Sequence, residues 1–164
     1  MRESAISMSM PKRRAGHTTA VVIGGATFHL TANAREDGSL GEIFLRWGKQ
    51  GTAGAGLLDV YAIALSAGVQ HGVPLAALIR QGLDLYFEPN GRTDDPEIPR
   101  VRSVADYVAR RLAIDWLPRR RRAELGILTV AERVERARAW MDVPGARLSA
   151  ESADALDREP AVSR

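Results

Sequence analysis

The sequence has 164 residues, 45% hydrophobic and 26% charged, the length of one domain with apolar content enough for a sizeable core. Its 23 basic and 20 acidic residues leave a net charge of +3, well short of the excess that marks a dedicated nucleic-acid binder. Cysteine is absent, which excludes disulfides, thiolate metal sites and thiol redox chemistry in this sequence. No secretory h-region and no apolar run near the roughly 18 residues of a membrane span are evident, so the expectation is a cytoplasmic protein with no membrane contact.

In chain order, residues 1–15 are polar and basic and are expected to form a disordered tail. His17 to Ile23 is rich in Thr and Val and reads as a strand. Gly24-Gly25 supplies the positive φ angles of a tight hairpin turn, and Ala26 to Ala32 returns as a second strand. After the turn Arg35 to Ser39, Glu42 to Trp47 is a third strand, with Ile43, Leu45 and Trp47 on one face and Glu42, Phe44 and Arg46 on the other. These short connections predict a three-stranded antiparallel meander.

Helical spacing follows. Leu57, Leu58, Tyr61, Leu65 and Val69 form an apolar stripe, Gly72 a stop and Pro74 the next start. That second helix carries Leu75, Leu78, Ile79 and Leu83. A third helix starts at Ser103, with Asp106 placed to complete a capping box, and buries Val104, Tyr107, Val108, Leu112 and Trp116. A fourth starts at Thr129, with Glu132 three residues on. The expected fold class is α+β, a meander packed by about four helices over residues 16–142, with a flexible tail at 143–164.

Two segments are candidate binding sites. Gly48, Lys49, Gly51, Thr52 and Gly54 join the third strand to the first helix, where free N–H groups and a lysine could hold a phosphate or nucleotide. The order of residues fits neither GxxxxGK[ST] nor GxGxxG, and a sharp turn with close helix–sheet packing explains the same glycines. Arg119, Arg120, Arg121 and Arg122 form the densest run of charge and could grip phosphates. Without interleaved aromatics, a solvated connection near a helix end explains them as well. His17, His29 and His71 show no metal-ligand spacing, and Asp94-Asp95-Pro96-Glu97 reads as a polar turn rather than a metal site.

Taken together, the stretches Gly41 to Leu45, Gly48 to Gly51, Gly72 to Leu75, Phe87 to Gly91, Asp106-Tyr107, Trp116 to Pro118, Leu125 to Ile127 and Ala131 to Arg133 form a longer pattern. Over roughly residues 17–135 it resembles the C-terminal accessory (TSCPD) segment of cobalamin-dependent, class II ribonucleotide reductases. The family's Thr-Ser-Cys-Pro-Asp motif corresponds to Arg102-Ser103-Val104-Ala105-Asp106 here, with Val104 in place of the cysteine. The resemblance implies a role in the ribonucleoside-diphosphate to deoxyribonucleotide pathway and a reductase catalytic subunit as partner. It also implies that adenosylcobalamin would belong to that partner, with no cofactor on this chain. Ribonucleotide reduction needs a cysteine radical and a cysteine-based reductant, so the expectation is a freestanding, non-catalytic interaction or regulatory module. A nucleotide- or phosphate-binding regulator is the alternative, and a nucleic-acid-binding protein a weaker one.

Overall fold

The computed structural model describes residues 10–48 and 51–141. Most of the two tails, and Lys49, therefore lie outside the described residues. The chain divides into two compact units, one ending at Ile127 and one starting at Leu128.

In the first unit, β1 (Gly16–Ile23), β2 (Ala26–Ala34) and β3 (Leu40–Trp47) form the expected antiparallel meander in the order β1-β2-β3. Gly24 and Gly25 take φ of 56° and 88° at the first hairpin, a conformation that residues with a Cβ rarely adopt. Val21 pairs with Phe28, Leu30 with Leu45, and Ala32 with Ile43. The pleat therefore puts these six side chains on one face, and all are buried. On the opposite face Thr18 and Thr31, a directly opposed pair, share a hydrogen bond of 2.7 Å, with His29, Phe44 and Arg46 exposed around them.

The helices in this unit are α1 (Ala53–Gln70), α2 (Leu75–Gly82), α3 (Val104–Trp116) and α4 (Arg119–Glu124). The inward sheet face, α1, α2 and α3 contribute to one core cluster that includes Leu65, Val69, Ile79, Tyr107, Val108 and Leu112. Leu58, Tyr61 and Leu78 pack against it partly buried. Gly82 is the close-approach point of α2 on α3, since a Cβ there would lie 2.9 Å from the Ala105 carbonyl oxygen.

Three local results differ from the sequence reading. Leu57 belongs to the expected buried stripe but is exposed; the buried positions of α1 are Ala55, Ala62, Leu65 and Val69. The helix is apolar on most sides, so spacing alone could not select the inner face. A two-stranded hairpin, β4 (Gly91–Arg92) with β5 (Arg100–Val101), spans the acidic turn. The arginine run, expected as a solvated connection near a helix end, is itself the short helix α4 after Pro118, with Arg122 buried.

Contrary to the reading that no apolar run approaches a membrane span, α1, with 18 residues, is long and apolar enough to cross a membrane by length and composition alone. Here it is built into the domain. Its Ser66 Oγ accepts from the Ile43 N–H (2.9 Å) and donates to the Ile43 carbonyl (3.1 Å), and the Gln70 side-chain amide donates to the Gly41 carbonyl (3.0 Å). These bonds occupy backbone groups on the outer edge of β3 that no strand pairs.

In the second unit, α5 (Val130–Met141) begins with the expected capping box. Thr129 Oγ1 accepts from the Glu132 N–H (3.2 Å), and the Glu132 carboxylate accepts from the Thr129 N–H (2.9 Å).

Candidate interaction surface

The glycine-rich turn is used by the fold itself. Gly48 and Gly51 take φ of 57° and 87°, and the Thr52 hydroxyl caps α1 by accepting from the Ala55 N–H at 3.3 Å. Gly54 lies under the Trp47 ring, where a Cβ would come within 2.3 Å of Trp47 Cζ3. Trp47 in turn stacks on Phe28, with ring centroids 5.5 Å apart. At Gly54 the geometry matches the packing explanation, and the Thr52 side chain is already engaged.

The four arginines diverge. Arg122 is buried and its Nε donates to the Leu117 carbonyl at 3.2 Å. Arg120 and Arg121 lie 3.6 and 3.1 Å from the Glu124 carboxylate, an ion-paired surface turn rather than a converging cationic cradle. The histidines are dispersed. His17 contacts Asp115 (3.1 Å) and stacks on Trp116, His29 stands on the open sheet face, and His71 ends α1.

A carboxylate hub anchors the start of α3. Ser103 Oγ accepts from the Asp106 N–H (3.2 Å), as the capping box requires, and donates to the Leu85 carbonyl (2.6 Å). Asp106 does not reciprocate to Ser103. Its carboxylate instead accepts from the backbone N–H groups of Asp84 and Arg102, each at 2.9 Å, and from Arg110 Nε at 2.9 Å. Asp84 has φ of 58°, a left-handed conformation that Asp tolerates better than most side chains. Val104, at the position of the family cysteine, is buried in the core. The five-residue motif is thus structural here: two polar residues tie three chain segments together, and an apolar residue fills the core.

A second chain of polar contacts runs from the core to the surface on α3. Tyr107 Oη donates to Asp95 at 2.8 Å, Arg111 donates to Asp95 (3.2 Å) and to Asp115 (3.0 Å), and Asp115 meets His17. Asp94, beside it, accepts from the Val22 N–H at 2.7 Å. Burial, reinforced by the Asp95 carboxylate, pushes the Tyr107 phenol well above its ordinary value. Above about pH 10 an unfolded tyrosine loses its proton while the folded one keeps it, so the native state binds more protons and stability falls as pH rises. Tyr107→Phe is therefore expected to flatten the loss of stability between about pH 10 and pH 12, measured by urea unfolding at each pH. An unchanged slope would show that Tyr107 does not contribute to it.

Among the described residues, the outer side of α1 carries large apolar side chains that the domain core does not use. Leu57, Val60 and Ile63 are 70%, 62% and 65% exposed. Ile63 also borders a groove of about 430 Å³ between α1 and β3, lined by Phe44, Arg46, Asp59, Ser66 and Gln70 among others. Arg46 and Asp59 form an ion pair there at 3.8 Å. The groove is the size of a small-ligand site. A corrin ring with its nucleotide loop does not fit it, so no chemistry of that cofactor is derived for these residues. Among the described residues no group of three or more His, Cys, Asp or Glu is placed to hold a metal ion.

Residues 4–115 match the TSCPD domain, and the chain belongs to that family. Among similar curated proteins is a vitamin B12-dependent ribonucleotide reductase of Streptomyces avermitilis, 46% identical over 124 residues, which are 76% of this chain and 13% of that protein. The enzyme of the same name from Streptantibioticus cattleyicolor is also 46% identical, over 76% of this chain and 21% of its own length. The one from Bradyrhizobium diazoefficiens is 39% identical over 111 residues, 67% of this chain and 9% of the relative. The chain thus spans about an eighth of the length of the Streptomyces avermitilis relative. No solved structure matches it.

Proposed function

We propose that this chain is a non-catalytic interaction module of a cobalamin-dependent ribonucleotide reductase, docking on the catalytic chain and so acting on deoxyribonucleotide supply. The observation that carries this reading is kinship to an accessory segment of such enzymes, joined to a sequence without cysteine in which the motif cysteine is a buried Val104. Adenosylcobalamin, the thiyl radical and the reducing thiols would all reside on the partner. Methionine cannot replace those thiols, because a thioether has no S–H hydrogen to transfer.

The test is a direct binding measurement between this chain and a B12-dependent catalytic chain cut before its own TSCPD segment. Association with a dissociation constant of about 1–10 µM is expected, and none at about 100 µM would sink the reading. The chain assayed without partner, with or without adenosylcobalamin, is expected to form no deoxyribonucleotide.

A further inference from the structure

The outward residues of α1 follow a symmetric pattern. Ala53 and Ala67, Gly56 and Ala64, and Leu57 and Ile63 lie at equal sequence distances on either side of Val60. Large residues mirror large ones and small residues mirror small ones. Laid antiparallel on a second copy about a two-fold axis through Val60, each residue meets its counterpart: Leu57 meets Ile63, and Gly56 meets Ala64. The small positions let two helices approach at the close end of the usual range.

We propose that this face of α1 binds a second copy of this chain, as an isologous antiparallel helix pair centred on Val60. Charge supports this occupant. Asp59 is the sole ionised group of α1, and its neighbour Arg46 neutralises it within the same copy, so two copies bring no net like charge together. Area supports it too. The exposed fractions of Leu57, Val60 and Ile63, with the small residues between them and Phe44 of β3 across the groove, amount to at most roughly 600 Å² per copy, so complete burial on both copies would reach about 1,200 Å², the lower limit for specific interfaces. An exposed apolar surface of this extent stands at the upper end of what soluble monomers carry, where such patches are often functional. The inference is independent of docking on a reductase, since it requires no other protein.

The test uses the full chain in sedimentation equilibrium. Wild type is expected to reach twice the chain mass by about 100 µM. Val60→Glu sets two carboxylates on the axis and is expected to weaken the dimer by at least about 100-fold, with an unchanged far-UV circular dichroism spectrum and, at a concentration too low for self-association, an unchanged melting temperature. Because the chain has no cysteine, Val60→Cys carries a unique thiol. It is expected to form a disulfide-linked dimer on mild oxidation, whereas Arg80→Cys, on the exposed side of α2, is not. A wild-type chain that stays monomeric, a Val60→Glu dimer of unchanged affinity, or equal cross-linking at both sites would overturn the proposal. So would protection of Val60→Cys from alkylation only when a reductase catalytic chain is added, which would assign the face to that partner.

Discussion

Asp106→Ala is expected to destabilise the domain by about 3–5 kcal/mol, measured by urea unfolding near neutral pH. The side chain is 1% exposed and its two oxygens serve Asp84 N–H, Arg102 N–H and Arg110. Alanine leaves two backbone donors without their acceptor, each costing about 1–3 kcal/mol where water cannot reach them. Among the described residues it also leaves Arg110 with the exposed Asp84 as its remaining ion-pair partner. Asp106→Asn keeps one carbonyl oxygen and presents an NH₂ where an acceptor is needed, so it should fall between wild type and alanine. A loss below about 1 kcal/mol for Asp106→Ala would mean that the hub contributes little.

The second large effect is a contrast within one helix. Leu65→Ala is expected to cost about 2–5 kcal/mol, because the side chain fills the core between sheet and helices and the cavity cannot fully collapse. Leu57→Ala, two turns away on the outer side, should change the stability of the monomer by no more than about 0.5 kcal/mol. Thermal unfolding of both variants at a concentration too low for self-association separates the two faces. Similar losses at both positions would contradict the assignment of Leu57 to the surface.

What the sequence disclosed, and what it hid, follows from the range of each interaction. The meander was legible because strand alternation and the Gly24-Gly25 turn are local signals. The starts of α2, α3 and α5 were legible because Pro74, Ser103 and Thr129 act within their own first turns. The orientation of α1 was not, since its amphipathicity is weak and both Leu57 and Leu65 fit a helical stripe. The role of Asp106 is only partly legible. Its spacing from Ser103 suggested a reciprocal cap, whereas its partners at Asp84 and Arg102 depend on how the α2–α3 connection returns to the helix. Arg111 could have been paired with Asp115 from their spacing of four, but nothing local announces Asp95 as its third member. The arginine run shows the same limit in reverse. A block of like residues suggests one surface, yet one turn of α4 sends Arg122 inward and leaves Arg120 and Arg121 with Glu124.

The hydrogen bonds from Ser66 and Gln70 to β3 also bear on the order in which the chain emerges during synthesis. The helix that shields this strand is the next element in the chain, so the rim is covered as soon as residues up to Gln70 have left the ribosome. The opposite rim, at the end of β1, waits longer. Val22 and Gly24 donate to Asp94 and Arg92, some seventy residues downstream. A nascent chain is therefore protected against strand addition on one side early and on the other late. Both rims are open until Gln70 emerges, and from then until Asp94 emerges only the β1 rim remains open to mispairing.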